Sequence, residues 1–304
     1  MLAELREECT SAQDVCVRVN PAPKLNSMEV RQSGRNIEVY NPKNFDLSQT
    51  LDCGQCFRWE NLNGKYQGIA FGKIVTVYQE DTKIVFENVN VNDFKNIWIN
   101  YFDLNADYEK ISEKFLGINS VMDSAVKECA GIRILRQEPW EALCSFIISQ
   151  NNNIPRIKKI INSLCANFGD DIGGKYSFPR PQKLANLSVE NLVPIRAGFR
   201  AKYIIDAAQK VCSGAVDFES MKKMSDEEAK NVLMKIRGVG PKVADCVMLY
   251  GMHRLSAFPM DVWMKRVMDR FFPGKNPDFF GLYAGIAQQY LYHYSRGNPS
   301  IFGN

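Results

Sequence analysis

The hydrophobic pattern of this chain changes its period once. Between residues 35 and 105, apolar and polar side chains alternate in short runs; from about Tyr108 onward the apolar positions recur three and four residues apart. Period two lets a strand bury one face, and a period near 3.6 lets a helix bury one stripe, so neither pattern suits the other structure. A single switch implies an α+β protein, with a small antiparallel sheet domain followed by a helical majority. The alternating runs are 36–40, 65–66, 69–71, 74–78 and 83–86, with Asn63-Gly64 and Glu80-Asp81 as turns and a helix expected near 91–98. The divisions that follow are an appendage at 1–27, closed by the breaker cluster Asn20-Pro21-Ala22-Pro23, a β domain with short helices at 28–125, and a helical core at 126–304.

Composition excludes several classes. Hydrophobic residues make up 45% and charged residues 24%, which is ordinary for a globular chain and unlike a disordered or collagen-like one. No run approaches 18 apolar residues, and the acidic N-terminal stretch has no apolar segment of a secretory signal, so neither a membrane nor export is expected. Nine cysteines, an odd number scattered over 304 residues, read as reduced thiols of an intracellular protein. Net charge is only +4, yet residues 196–270 hold 14 Lys/Arg against 9 Asp/Glu, so this third carries +5 and the remainder −1. A locally basic region is compatible with phosphate binding or with a mixed solvated surface.

Within the helical part, Glu138-Pro139-Trp140 opens a helix with Trp140, Leu143, Cys144 and Ile147 on one face, and Pro139 suits its first turn. A second repeats the period from Pro155 and stops before Gly169. Ser225-x-x-Glu228 is a capping box ahead of Ala229, Val232, Leu233 and Ile236. That helix runs into Gly238-Val239-Gly240, and another opens at once from Lys242 to Tyr250. The two glycines allow a tight turn and close backbone approach, while the uncapped N–H groups of the second helix favour an anion such as a DNA phosphate. A ligand-free helical packing unit is the plainer reading. Lys242 stands in the first turn, where the helix dipole disfavours a cation and so favours the neutral, nucleophilic amine; a phosphate-contacting lysine is the alternative. Nineteen residues on, Asp261 follows Phe258-Pro259-Met260 and precedes the helical run 262–271, as an N-cap or as a carboxylate beside Lys242 that stabilises positive charge on a sugar.

Gly238-Val-Gly240-Pro-Lys242-Val-Ala-Asp-Cys246, followed by Pro259-Met-Asp261-Val, resembles the helix-hairpin-helix DNA glycosylases. Further blocks narrow the resemblance to the 8-oxoguanine DNA glycosylase/lyase family. They are Gly54-Gln-Cys-Phe-Arg-Trp59, Gly131-Ile-Arg-Ile-Leu-Arg136-Gln137-Glu138-Pro139, Ser149-Gln-Asn151-Asn-Asn153-Ile-Pro-Arg156 and Gly198-Phe199-Arg200-Ala-Lys-Tyr203, in the family's order between about 40 and 296. The resemblance implies a twisted antiparallel β domain packed on a helical glycosylase core with the hairpin at about 226–252.

It also implies a bifunctional base-excision repair enzyme that flips 8-oxoguanine out of the duplex. Lys242 would form a Schiff base with the sugar, β-elimination would then cut the strand, and Asp261 would steady the oxocarbenium-like state, with no metal or other cofactor. Gly54 would accept a hydrogen bond from N7–H of the damaged base on its carbonyl, which repels the N7 lone pair of guanine. Gln288 would bond the base edge, Tyr292 and Cys246 would cover its two faces, and Met260 belongs to the same base site. Asn151 would fill the gap in the stack, Arg156 and Arg200 would read the opposite cytosine, and Phe199 would wedge between bases. Gly238, Val239 and Gly240 would approach the phosphates, with Trp263 near the backbone. The sequence departs from the family pattern at Phe199 for tyrosine, Tyr292 for phenylalanine and Trp263 for histidine. The implied partner is double-stranded DNA containing 8-oxoguanine, bound by a monomer inside the cell, in the cytoplasm or nucleoid of a prokaryote or the nucleus of a eukaryote. Cys53-x-x-Cys56 reads as two packed thiols and not as a metal or redox pair, and His253 and His293 are isolated. Two other functions stay open: a non-enzymatic hairpin DNA-binding protein, and a monofunctional alkylated-base glycosylase, which has no lysine at the Lys242 position.

Overall fold

The computed structural model describes residues 17–18 and 28–303. Apart from Val17 and Arg18, the expected appendage lies outside the described residues.

Seven antiparallel strands form one sheet: β1 (Val17–Arg18), β2 (Glu29–Ser33), β3 (Asn36–Tyr40), β4 (Trp59–Leu62), β5 (Lys65–Ala70), β6 (Lys73–Glu80) and β7 (Lys83–Glu87). Their order is β1-β2-β3-β7-β6-β5-β4, so the hairpin β2–β3 joins the meander β4–β7 through the β3–β7 pairing. Asn63-Gly64 turns β4 into β5 with both residues at positive φ, as the dipeptide predicts. The run 69–71 is cut short: Phe71 and Gly72 both take positive φ and form the next turn, because the hairpin twist demands that conformation there. Strands β2 and β4 escape the alternation reading, since β4 exposes Glu60, Asn61 and Leu62 and buries only Trp59. The helix expected near 91–98 spans Val91 to Tyr101, with a π-turn at Phe94–Trp98 in the middle.

Two apolar clusters fill the molecule. One lies under the sheet, around Trp59, Phe86, Trp98 and Phe102. The other holds the helices, and residues from Tyr108 to Cys129 belong to it. These lie largely on the sheet side of the boundary expected at 125/126. The helix Ser120–Cys129 places Met122, Ala125, Val126 and Cys129 inward, against the last helix, Ala284–Gly297. No helix among the described residues is long and apolar enough to cross a membrane.

The expected caps are present. Pro139 begins the helix Pro139–Ser149, and Gly169 ends Ile154–Phe168. Ser225 accepts from the Glu228 N–H while the Glu228 carboxylate accepts from the Ser225 N–H, at the start of Asp226–Met234. The hairpin's second helix is Pro241–Tyr250, and Val262–Phe271 follows.

Candidate active site

The hairpin turn is held by a neighbouring helix, Ala201–Cys212. Its Asp206 accepts from the Arg237 N–H at 2.7 Å, and its Tyr203 ring lies where a Cβ on Gly238 would stand, 2.4 Å from Cδ2. Gly238 also has φ +78, so both the turn and the close approach require glycine. Gly240 is different. Its φ is −98 and a Cβ there would meet nothing within 4 Å, so the folded chain sets no steric demand for glycine. Gly240 is the N-cap of Pro241–Tyr250, without a side-chain cap, and it faces a cleft of about 840 Å³. Val239 is buried and its N–H donates to Ile236 O at 3.0 Å, so this donor is already used inside the turn.

Lys242 projects into that cleft, its Nζ 5.8 Å from the centroid of the Phe146 ring. One turn on, Cys246 is buried: desolvation pushes its thiol up to about 11 although the Lys242 ammonium pulls the other way. Asp261 opens the opposite helix. Its backbone is extended and its Oδ1 accepts from the Met264 N–H at 2.8 Å, so the carboxylate is both a cap and part of the cleft wall. Among the described residues, neither Lys242 nor Asp261 forms an ion pair. Both side chains therefore face the same space with no salt bridge between them to hold the amine protonated.

The sheet side contributes Gly54, at φ +89, from the loop between the helix Leu47–Asp52 and β4. The carbonyls on either side of it are occupied. Cys53 O accepts from Gln289 Nε2 at 3.3 Å and Gln55 O from Gln137 Nε2 at 2.7 Å. Gln55 reaches across the interface: its Nε2 donates to Thr50 O and Arg133 O, both at 2.8 Å, and its Oε1 accepts from Leu135 N–H at 2.9 Å. The Gly54 peptide is thus fixed against the helical core by buried amides.

Tyr292 lines the cleft, and its hydroxyl accepts from Arg296 Nη1 at 2.7 Å. Gln288 is buried behind it, with Nε2 donating to Pro259 O at 3.3 Å and Oε1 left without a partner among the described residues. Met260 is half-buried beside the core and does not line the cleft. Of the three consecutive asparagines, Asn153 caps the next helix and Asn152 donates to Ile148 O. Asn151 stands exposed on the cleft rim, at φ +47.

The two arginines behave differently. Arg156 is exposed, outside the cleft. Arg200 is buried, and its guanidinium donates to Gln150 O, Asn151 O and Ala197 O, so it must exchange these carbonyls for a base in order to read one. Phe199 is 48% exposed and rests edge-on against Tyr203, the ring that packs on Gly238. Trp263 lies outside the cleft: its indole N–H donates to Ser295 Oγ at 2.7 Å and its ring edges Phe302. Cys53 and Cys56 are buried thiols donating to the carbonyls of Thr50 and Leu51, and burial raises Cys53 to about 12. His253 is isolated in sequence but not in space, since its Nε2 lies 3.2 Å from the buried Asp103 carboxylate, away from the cleft. Among the described residues no group of three or more His, Cys, Asp or Glu side chains is placed to hold a metal ion.

One cleft thus gathers Gly54, Asn151, Gly240, Lys242, Asp261 and Tyr292 from positions up to 238 residues apart. The sequence pattern does not mark Phe146 and Arg296, which line it, or Gln55 and Gln289, which hold Gly54. Gln289 has one available signal, an amide next to Gln288 on a helix that is otherwise buried on this face.

Residues 38–143 match the family model of the 8-oxoguanine DNA glycosylase N-terminal domain, and 144–278 match that of the HhH-GPD superfamily of base excision DNA repair proteins. Over 260 residues the chain is 36% identical to the N-glycosylase/DNA lyase of Saccharomyces cerevisiae, covering 76% of this chain and 69% of the yeast protein. Its fold is similar to that of MBOgg1 in complex with a low-affinity DNA ligand, with TM-score 0.84, 42% identity and coverage of 89% of this chain and 98% of the other. It is also similar to the Clostridium acetobutylicum 8-oxoguanine glycosylase/lyase in complex with double-stranded DNA containing cytosine opposite 8-oxoG, with TM-score 0.81, 40% identity and coverage of 90% and 98%. With both family models matched in order along one chain, and the fold shared across nearly the full length of these neighbours, the chain belongs to the 8-oxoguanine DNA glycosylase family of the HhH-GPD superfamily.

Proposed function

We propose that this protein binds duplex DNA, excises 8-oxoguanine and cleaves the resulting strand through Lys242. The observation that carries the reading is the placement of Lys242, Asp261 and Gly54 around one cleft with neither charge paired among the described residues. The neutral Lys242 amine attacks C1′ as the bond from C1′ to N9 breaks, and the proton that the newly bonded nitrogen sheds balances the one the departing base takes up. Ring opening then gives a Schiff base between Nζ and C1′. Loss of a C2′ proton breaks the C3′–O bond and releases the 3′ phosphate, which is β-elimination. Asp261 stabilises the positive charge that develops on the sugar.

Base selection follows from polar satisfaction. The Gly54 carbonyl, fixed by its neighbours, accepts from N7–H of 8-oxoguanine and faces a lone pair in guanine. The unpartnered Gln288 Oε1 is an acceptor suited to a base N–H edge. Tyr292 offers a stacking face within the cleft, while Cys246, one turn beyond Lys242, is buried and does not line it. Asn151 and Phe199 are the exposed side chains suited to the duplex gap and the base step, and Arg156 faces the opposite strand. The Gly240 helix end receives a phosphate. The protein works where DNA is.

Borohydride trapping on a duplex with one 8-oxoguanine tests the nucleophile. The protein should become covalently attached, and Lys242→Gln should abolish attachment while retaining binding to the damaged duplex. Attachment that persists in that variant assigns the nucleophile elsewhere. Binding without excision by the unaltered protein would return the hairpin to a DNA-binding module. Excision rates against C, A, G and T opposite the lesion test the arginines, and equal rates would remove them from cytosine reading.

A further inference from the structure

The helix Ile154–Phe168 separates two cavities. On one side Asn153, Pro155 and Ile157 line the cleft that holds Lys242. On the other, Arg156, Lys159 and Ser163 form one wall of a groove of about 590 Å³ whose far wall is Pro194, Ile195 and Arg196. Three cations line this groove and no carboxylate does. All three are exposed, and among the described residues none of them forms an ion pair. Burial and the charge of Arg156 together lower the pKa of Arg200 behind the groove.

Arg196 adds a backbone observation. It ends the 3-10 turn Glu190–Ile195 at φ 56 and ψ 34, a left-handed conformation that glycine adopts more cheaply. The chain keeps a long cation at this strained position, three residues before the exposed ring of Phe199. A ring that enters a base step brings Arg196 alongside the duplex.

We propose that this groove grips phosphates of the strand opposite the lesion, a contact surface additional to the cleft and the hairpin. The inference rests on the duplex-DNA reading above. Its geometry follows from the helix between the two cavities, which with side chains is about 10–12 Å thick. The damaged nucleotide occupies the cleft on one side of that helix. The strand follows from the residues at the groove: Arg156, which the reading above turns toward the opposite strand, forms part of one wall, and Phe199, set for the base step, lies three residues beyond Arg196.

The test uses the full chain with Lys159→Gln and Arg196→Gly together, the glycine relieving the left-handed position so that folding is retained. Affinity for an 8-oxoguanine duplex is measured over a salt series. Each lost phosphate contact should lower the slope of log affinity against log salt by about 0.9, so two contacts lower it by roughly 1.8. In a second arm, uncharged methylphosphonate linkages replace the phosphates opposite the lesion. They should weaken the unaltered protein and leave the double variant nearly unaffected. A normal slope in the variant, or equal sensitivity of both proteins to the methylphosphonates, overturns the groove while borohydride trapping by the unaltered protein still supports the excision reading. Failure of the unaltered protein to bind the duplex at all overturns both.

Discussion

Asp261 has two separable jobs, and the substitution Asp261→Asn separates them. The amide oxygen of asparagine can accept the Met264 N–H as the carboxylate does at 2.8 Å, and asparagine is as good an N-cap as aspartate. What is lost is the negative charge at the helix N-terminus, about 0.3–1 kcal/mol of stability. For a domain of this size that is a fall of at most about 4 °C in the melting midpoint. The chemical loss is larger. A charge aimed at a cation that develops only in the transition state is worth about 2.7–4 kcal/mol if deletions of a preorganised donor set the scale, or roughly 10²–10³ in rate. The assay is single-turnover excision of 8-oxoguanine beside a thermal melt, with Asp261→Ala as companion, which additionally loses the cap for about 1 kcal/mol. An asparagine variant that excises within about threefold of the unaltered rate, far short of that loss, would reduce Asp261 to a cap and refute the electrostatic role. One that melts some 10 °C lower, roughly twice the cap-charge loss or more, would show that the fold and not the chemistry depends on the charge.

Gly238→Ala should destabilise by about 2–4 kcal/mol in a denaturant titration, because its methyl meets the Tyr203 ring at 2.4 Å and its φ is +78; a neutral result would mean that the hairpin turn is free to move. Gln289→Leu leaves Cys53 O and the Tyr250 hydroxyl without their partner, at about 1–3 kcal/mol each, and should narrow the preference for 8-oxoguanine over guanine as Gly54 loosens. An unchanged melt and preference would show that Gln55 alone holds the loop. Glu141, buried beside Arg58, has its carboxyl pushed up to about 7, chiefly by desolvation. Its folded pKa lies above its unfolded one, so the folded state holds the proton more tightly and stability falls as pH rises from about 4.5 to 7. Glu141→Gln should flatten that part of the stability–pH curve, and an unaltered slope would assign it to other groups.

Local physics makes much of this molecule readable. The period change at about residue 105, the Asn63-Gly64 turn, the Ser225–Glu228 box, Pro139 and Gly169 each act through bonds or torsions within a few residues, and each stands where the pattern places it. Where alternation is absent the reading fails: β4 sits at the sheet edge with one buried residue, and the short helix Leu47–Asp52 has too few positions for a period to show. Gly54 is reached only through the family resemblance, since a glycine before a strand has no local mark of a carbonyl aimed at a ligand.

A lysine in a helix's first turn stands against the dipole and so draws notice by itself, whereas an aspartate there is an ordinary cap, and only the family resemblance decides for a chemical role at Asp261. What the chain alone does not decide is their company. Phe146 beside Lys242, the amides of Gln55 and Gln289 behind Gly54, the inward turn of Arg200 and the outward cations of Arg156, Lys159 and Arg196 come from segments far apart in sequence. Covalent neighbours set a helix end or a turn; only packing of the sheet against the helices sets which distant side chains share a cavity, because burial and unpaired charge are properties of the surroundings and not of the residue.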